Sequence, residues 1–334
     1  MPRWISTLSK IKQRHLVRLS KLQIRNMTTI GIIGMGWVGS SVAISILHRG
    51  LCQKLLINDV KREIAEGEAM DLNHGSSFFP TAEAIPCEIE EMKSCDAIVI
   101  TAGRGGRPGE SRLDLLQDNI QIARDISERL KGFNGLLIIV SNPVDVLTYY
   151  YQKFTDLPAH RVIGTGTMLD TARLREVIGR RVNVDSKSIH ANVIGEHGDS
   201  EVVLWSSATI GSIPVEKWPG WQPKDIKQIA SEVRGAAGQI IKRKGATNHA
   251  IGLVTATLLK WLMRGDRRVV TVSSVLSNPY TGKDVAISLP TLLGKDGLEE
   301  IIQLEISVEE QVALDISAEV LKKAIASVAT PNYA

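Results

Sequence analysis

The sequence predicts an α/β protein in which a doubly wound parallel sheet is followed by a second, α+β domain. Strand-like and helical segments alternate through the first half of the chain, which is the pattern of a parallel sheet covered by helices. A glycine-rich turn joins the first predicted strand to the first predicted helix. The length of 334 residues is sufficient for two domains.

The predicted strands of the first half are short apolar runs bounded by turn residues, as expected for strands buried on both faces. They lie at residues 29–33, 55–58, 97–101 and 136–141, with helices at 38–49, 61–73 and 113–131. The second half is more mixed. There we predict helices at 170–178, 224–244, 246–263 and 308–328, and extended segments at 189–194, 268–275 and 286–289. The boundary falls within 165–169, which gives domains of residues 27–168 and 169–334.

Composition argues against several classes of protein. Aromatic residues make up 4% of the chain, too few for base-stacking platforms, and no apolar run is long enough to span a bilayer. Three cysteines (Cys52, Cys87 and Cys95) form neither an even disulfide framework nor a metal-ligand spacing. We therefore expect no nucleic acid, membrane or metal partner, and a reducing compartment such as the cytoplasm.

Residues 1–26 form a basic extension with seven Lys and Arg residues and no acid. Subtracting these seven charges from the formal total of +4 leaves −3, so the pI of about 8.9 does not indicate nucleic-acid binding. The composition is typical of an organelle transit peptide, which would place the protein in an organelle matrix. The alternative is an upstream segment before a functional start at Met27. In either case we expect this extension to be disordered or loosely packed.

The glycine-rich turn has the spacing of a dinucleotide-binding fingerprint. Gly34 allows the tight turn, Gly36 allows the backbone to approach a pyrophosphate, and Gly39 allows close packing of helix and strand. Asp59 ends the next strand, 20 residues after Gly39, where a carboxylate accepts both adenosine ribose hydroxyls and repels a 2′-phosphate. This context predicts a Rossmann domain that binds NAD. Val38 is expected to be a core residue whatever the ligand.

Two segments of the second half carry the candidate chemistry. His197 lies between Glu196 and Gly198 in a polar segment and titrates near neutral pH. Asp170 can fix its tautomer and stabilise its charged form. Arg173, three residues later, lies on the same helical face and can bind a carboxylate bidentately. Histidine at a single position is more often structural, so this set, not His197 alone, suggests catalysis.

Two loops follow buried strands of the first half. Residues 103–112 form a glycine-rich loop, a candidate lid that would bring Arg112 to a carbonyl oxygen. A solvated loop is the alternative. Asn142 can donate to a substrate oxygen or to the nicotinamide ribose, and the alternative is an ordinary helix N-cap.

Together these segments resemble the lactate/malate dehydrogenase family, and within it the bacterial-type L-lactate enzymes, over about residues 29–327. Further matching segments lie at 67–75, 141–145, 163–167 and 244–247. The resemblance implies that His197 carries the proton, Asp170 orients it, Arg173 binds the substrate carboxylate and Arg112 polarises the carbonyl. It further implies a site lined by Asn142 and Thr247. We also expect cofactor contacts from Val38, Gly103, Asn142 and Thr165.

Several positions depart from the family pattern: Thr165 where serine is usual, Asn248-His249 where many bacterial relatives have two tyrosines, and Gly106, which bears on substrate choice. Gly106 stands where lactate enzymes have glutamine and malate enzymes have arginine, so no side chain is available to contact the third carbon of the substrate. The expectation is therefore an NAD-dependent L-lactate dehydrogenase, with a malate or broader L-2-hydroxy-acid dehydrogenase as the alternative. A dinucleotide-sensing protein without catalysis is a second alternative. The presence of His197, Asp170, Arg173 and Arg112 together argues against it, since sensing needs none of these four residues.

The resemblance also suggests regulation. In the bacterial enzymes an arginine and a histidine at the positions of Arg175 and His190 bind fructose 1,6-bisphosphate at a subunit interface. We therefore expect a homo-oligomer, a tetramer, with this sugar bisphosphate as a possible effector. The alternative is that Arg175 is a solvated helix residue and His190 an interface residue.

Overall fold

A computed structural model describes residues 28–105, 112–277, 280 and 285–328. The basic extension 1–26 lies outside the described residues, as do Gly106 and most of the predicted lid. Arg112 begins a helix, but its side chain is outside the description. No helix in the described ranges is long and apolar enough to cross a membrane.

A nine-stranded sheet runs through the described chain. Its strands are β1 (Thr29–Ile33), β2 (Lys54–Asn58), β3 (Glu83–Pro86), β4 (Ala97–Ile100), β5 (Leu136–Ile139), β6 (Val162–Gly164), β12 (Val269–Ser274), β13 (Ile287–Gly294) and β14 (Gly297–Ile301). Their order in the sheet is β14-β13-β12-β6-β5-β4-β1-β2-β3. Strands β1 to β6 are parallel, and β12, β13 and β14 extend the sheet antiparallel from β6. The strand order reverses between β1 and β4, and in open α/β sheets a ligand crevice forms at such a point.

Two small sheets complete the second half. One contains β7 (Ile189–His190), β10 (Thr209–Ile210) and β11 (Ile213–Pro214), and the other pairs β8 (Val193–Ile194) with β9 (Val202–Val203). The helices of the described chain are α1 (Trp37–His48), α2 (Arg62–His74), α3 (Arg112–Arg129), α4 (Val144–Phe154), α5 (Met168–Val182), α6 (Pro223–Lys244), α7 (His249–Arg264) and α8 (Val308–Ser327).

The alternation of side chains between the two faces explains why the central strands β4 and β5 are apolar throughout. Ile98 and Ile100 of β4 join a core with helices α3, α4 and α8, whereas Ala97 and Val99 join a core with α1, α2 and α7. Both faces of the parallel sheet are therefore covered, as the continuous apolar runs predicted. A third core joins α5 and α6 to the small sheets.

The fold class is confirmed, with corrections to individual elements. The segment 189–194 is not one strand, because β7 and β8 belong to different sheets. The helix predicted from residue 246 begins at His249, since Gly245 has a φ of 87° and ends the preceding helix. Strands β3, β6 and β14 and helix α4 were not predicted. The extended segments predicted at 268–275 and 286–289 correspond to β12 and β13, which continue the nine-stranded sheet from β6.

Candidate active site

The glycine-rich turn lies at the carboxyl end of β1, directly at the strand-order reversal. Gly34 has a φ of 99°, and its carbonyl accepts a hydrogen bond from the Thr101 hydroxyl at the end of β4 (2.6 Å). A Cβ on Gly39 would lie 2.0 Å from the Gly34 oxygen, whereas a Cβ on Gly36 would meet nothing within 4 Å. Gly39 is therefore required for packing, and Gly36 leaves open space beside the backbone.

Asp59 holds the turn from the neighbouring strand. Its carboxylate accepts hydrogen bonds from the backbone N–H of Met35 (2.8 Å) and of Lys61 (3.0 Å). A cleft of about 620 Å³ opens here, and its lining includes Gly34, Gly36, Asp59 and Gly103. This volume lies within the range of small-molecule sites. The open Gly36 backbone, the start of α1 and the Asp59 carboxylate fit the pyrophosphate and ribose of a dinucleotide.

The structure also places the other predicted cofactor residues. Val38 is half-buried and packs against the core beneath α1. Thr165 follows β6 and is buried, with its hydroxyl directed to the Ile139 carbonyl at 3.4 Å. Asn142 follows β5 and is exposed. It is not a helix N-cap, since Pro143 occupies that position before α4.

His197, Asp170 and Arg173 form one hydrogen-bonded chain. The Nδ1 atom of His197 lies 2.5 Å from Asp170 Oδ2, and Arg173 Nη1 donates to Asp170 Oδ1 over 2.8 Å. Asp170 and Arg173 share one face of α5, three residues apart, as predicted. The carboxylate is nearly inaccessible, while the side chain of His197 is 23% exposed and that of Arg173 is 14% exposed. The arrangement thus buries the anion and leaves both cations accessible.

The electrostatics of this chain favour a charged histidine. Burial opposes ionisation of Asp170, but the hydrogen bond and charge of His197 and the charge of Arg173 outweigh it and lower the pKa of Asp170. Burial also opposes protonation of His197, but Asp170 outweighs it and raises the pKa of His197. An imidazole bonded through Nδ1 keeps Nε2 free to exchange a proton with a ligand.

A second carboxylate, Asp145, supports the histidine from behind and was not predicted as a site residue. Its Oδ2 accepts the backbone N–H of His197 over 2.7 Å. Burial raises the pKa of Asp145 to about 6, although the nearby Ser273 hydroxyl and the His197 N–H oppose this rise. Asp145 lies in the first turn of α4, three residues after Asn142. Its hydrogen bond therefore connects the segment that follows β5 with the loop that carries His197, here called the histidine loop. Its place in the Asn-Pro-Val-Asp run was the available sequence signal.

Thr247 lies in the connection between α6 and α7. The side chain of the next residue, Asn248, donates a hydrogen bond to the Ser41 hydroxyl (2.8 Å). This bond links the connection to α1, the helix that follows the glycine-rich turn. Thr247 itself is half-buried.

Arg175 faces away from the histidine. Its Nε donates to the Ala191 carbonyl (3.0 Å) and its Nη2 to Asn192 Oδ1 (3.2 Å). Arg175 and Lys187 line a separate cavity of about 910 Å³, together with Arg267 and Arg268. His190, on β7, is exposed. In the described ranges no group of three or more His, Cys, Asp and Glu side chains could hold a metal ion.

Comparison with known proteins gives the family. Residues 28–164 match the lactate/malate dehydrogenase NAD-binding domain, and residues 167–331 match the α/β C-terminal domain of the same family. The L-lactate dehydrogenase of Fervidobacterium nodosum is 44% identical over 306 residues, which cover 89% of this chain and 97% of that protein. The L-lactate dehydrogenase of a Synechococcus species is 41% identical over 300 residues, which cover 89% and 98%.

Solved structures agree with this assignment. A lactate dehydrogenase from a Medee basin deep-sea metagenome library superposes with a TM-score of 0.88 at 37% identity, covering 91% of this chain and 99% of that one. The minor L-lactate dehydrogenase of Enterococcus mundtii gives a TM-score of 0.88 at 36% identity, with the same coverage. The predicted resemblance is confirmed: this chain, with its NAD-binding domain, belongs to the lactate/malate dehydrogenase family.

Proposed function

We propose that this protein is an NAD-dependent L-lactate dehydrogenase that interconverts pyruvate and L-lactate. The observation that carries the proposal is the hydrogen-bonded chain of Arg173, Asp170 and His197, in a family member whose relatives include L-lactate dehydrogenases. Several site residues follow strands at the carboxyl edge of the sheet. Asp59 follows β2, the glycine turn follows β1, and Asn142 and then Asp145 follow β5. Asp59 and the glycine turn would hold a dinucleotide at this edge, which also carries Asp145, whose carboxylate contacts the histidine loop.

The proposed mechanism divides the work among these residues. Bound NADH supplies the hydride that reaches the C2 carbon of the keto acid. Arg173 binds the substrate carboxylate and so fixes which face of C2 is presented. Protonated His197 donates from Nε2 to the carbonyl oxygen as charge develops there, and Asp170 stabilises the imidazolium before the transfer. Arg112, from the sequence, is the residue we expect to polarise the carbonyl.

A substrate panel tests this proposal. Steady-state oxidation of NADH is measured with pyruvate, oxaloacetate and 2-ketoisocaproate, and we expect the highest kcat/KM with pyruvate. Preference for 2-ketoisocaproate or oxaloacetate would instead support the broader hydroxy-acid or the malate enzyme. NADH binding without turnover of any of the three would support the dinucleotide sensor.

Gly106 gives the second candidate its specific support, since a residue without a side chain leaves the third carbon of the substrate uncontacted. Gly106→Gln is expected to sharpen selectivity for pyruvate over bulkier keto acids, and Gly106→Arg to improve the use of oxaloacetate. Unchanged ratios in both variants would show that this position does not contact the substrate.

We also propose that the protein is a homotetramer. Trp37 and Ile44 on α1 and Leu253 on α7 are 59%, 49% and 52% exposed, on two helices that the Asn248–Ser41 hydrogen bond joins. Such exposed apolar residues favour a self-complementary contact with a second copy. A further interface would lie at the cavity lined by Arg175, Lys187, Arg267 and Arg268, here called the cationic cavity. Together the two interfaces would give a tetramer with two kinds of twofold contact. Sedimentation velocity checks this, with Ile44→Glu expected to yield smaller species.

Fructose 1,6-bisphosphate is the effector we propose for the second interface. Arg175 lines the cationic cavity, and His190 is accessible on the adjacent strand. A phosphate between such cations from two subunits would favour assembly, with a coupling of about 1–3 kcal/mol. The compound should lower the KM for pyruvate, and the double variant Arg175→Gln/His190→Ala should lose this response while keeping basal activity. A response that persists in the double variant would reject the site.

We place the protein in the cytoplasm, because it matches the named bacterial relatives over 97% and 98% of their length. Fusion of residues 1–26 to a fluorescent reporter separates this from an organelle matrix.

A further inference from the structure

Glu201 is a buried acid that interacts electrostatically with Asp170, Arg173 and His197. It has no part in the proposed proton transfer. It follows the histidine loop directly before β9, and its backbone N–H donates to the Gly198 carbonyl (3.2 Å). The residue is only 5% exposed. Within the described part of the chain, no donor reaches its Oε1 atom, which is itself buried. An ionised carboxylate in this position is therefore poorly compensated.

Several charges lie around Glu201, but none of the described cations forms an ion pair with its carboxylate. Asp170 and Arg173 face it from α5, Arg234 from α6, and His197 from its own loop. Asp170 already holds two of the three cations, Arg173 on Oδ1 and His197 on Oδ2. Arg234 donates to the backbone carbonyl of Glu201 (3.4 Å). Burial first, and the charge of Asp170 second, raise the pKa of Glu201 to about 7, against the three cations.

A substrate carboxylate adds one more anion to this group. It must bind Arg173, whose guanidinium is already paired with Asp170. Asp170 and Glu201 are largely buried there, so bulk water screens the repulsion between like charges only weakly. An ionised Glu201 opposes this step, whereas a protonated Glu201 does not. By linkage, the form of the enzyme that binds the substrate anion more tightly is the form with a proton on Glu201, and substrate binding in turn favours protonation.

We propose that Glu201 is a second proton-binding group of the substrate pocket, which becomes uncharged when the carboxylate of the 2-keto acid binds Arg173. His197 is then the proton donor of the reaction, and Glu201 takes up a separate proton that is not transferred to the substrate. This inference rests on the proposed function only in the identity of the ligand, a 2-keto acid anion.

The experiment measures proton uptake on binding of oxamate, an unreactive isostere of pyruvate, to the enzyme–NADH complex. Calorimetry at pH 6 to 9 in two buffers of different ionisation enthalpy gives the number of protons bound. Above both pKa values, the wild type should take up close to two protons, so that the affinity falls about 100-fold per pH unit. Glu201→Gln should take up one, with a fall of about 10-fold per pH unit, because His197 alone remains.

The pattern at low pH separates this role from a structural one. At pH 6, where wild-type Glu201 is already protonated, the two proteins should bind oxamate within about twofold of each other, since glutamine resembles the protonated acid. Glu216→Gln, which removes one exposed acidic charge elsewhere, is the matched control and should retain the wild-type slope.

Uptake of no more than one proton by the wild type at every pH would overturn the inference, and this measurement does not depend on how well the variant folds. Equal slopes for the wild type and Glu201→Gln would overturn it too. The proposed function fails separately, through absence of turnover with the three keto acids while oxamate binding is still measurable.

Discussion

At the scale of single residues, two carboxylates divide the task of holding His197. Asp170 binds the ring at Nδ1, and Asp145 binds the backbone N–H. The first sets the tautomer and the charge of the imidazole, and the second fixes the loop that carries it. A ring held in this way loses little freedom when the substrate arrives, which is the condition for efficient proton transfer.

Replacement of the histidine tests its role directly. His197→Asn should fold and bind NADH with unchanged affinity but lose about 10²–10⁴-fold in kcat for pyruvate, because a positioned proton donor contributes that much. Stopped-flow turnover and NADH fluorescence titration measure the two properties. A kcat near that of the wild type at neutral pH would refute the assignment.

The pH dependence tests the partnership with Asp170. The pKa of His197 is raised, so the histidine keeps its proton at low pH. The kcat/KM for pyruvate reduction should therefore be highest at low pH and decline as the pH rises through the pKa of His197. Asp170→Asn removes the carboxylate charge that raises the pKa, so the declining limb of kcat/KM should move to lower pH. A limb that stays in place in Asp170→Asn would show that another group controls it.

Arg173 should contribute through geometry as well as charge. Arg173→Lys keeps the charge but loses bidentate contact, and loss of a hydrogen bond to a charged group is worth about 1.5–3 kcal/mol. We therefore expect a rise in the KM for pyruvate of about 10- to 100-fold, with a smaller change in kcat. Arg180→Lys, on the same helix but exposed and paired with Glu176, is the control and should behave like the wild type.

Sequence reasoning could predict only part of this site. His197, Asp170 and Arg173 stand out because their residue types match one chemistry and two of them share helical spacing. Asp145 stands in the Asn-Pro-Val-Asp run, but that run does not show which of its side chains supports the histidine, and Glu201 has no comparable signal. The roles of both acids come from burial. Burial depends on α4, α6 and β9 packing around the loop, and no local pattern of the sequence reports that packing.

At the scale of elements, the turn between β1 and α1 uses its glycines for different purposes. Gly39 lies against the backbone of Gly34, so Gly39→Ala should strain the turn by about 1–3 kcal/mol and lower the Tm. Gly36 faces open space, so Gly36→Ala should leave the Tm unchanged. It should raise the Kd for NADH about tenfold or more, since each 1.4 kcal/mol of lost contact is a factor of ten. Equal loss of stability in both variants would contradict this division.

The elements that were predicted well share one property. Strands β4 and β5 are apolar throughout and β1 and β2 have apolar centres, because helices cover both faces of this part of the sheet. The missed strands lack such an apolar run: β3 begins with the exposed Glu83 and ends at Pro86, and β6 has only three residues. The joining of β12 to β6 was also unpredictable, since Gly164 pairs with Ser273, more than a hundred residues away. Such pairing is tertiary information.

At the scale of the whole molecule, the charge is divided unevenly along the chain. The seven basic charges of residues 1–26 outweigh the net charge of −3 that the remaining residues carry. The family match begins at residue 28, directly before β1. The residues that we assign to the cofactor, the substrate and catalysis all lie beyond that point.

Deletion of residues 1–26 should therefore leave the enzyme intact. A variant that starts at Met27 is expected to retain the wild-type kcat, KM and Tm, because no assigned site residue is removed. Its isoelectric point should fall from about 8.9 to below 7, since the remaining net charge is negative. Activity assays, thermal unfolding and isoelectric focusing measure these properties. Arg25→Gln is the control, because it removes one positive charge without shortening the polypeptide. A loss of turnover or a clear fall in Tm in the deletion variant would show that the basic extension is part of the folded enzyme.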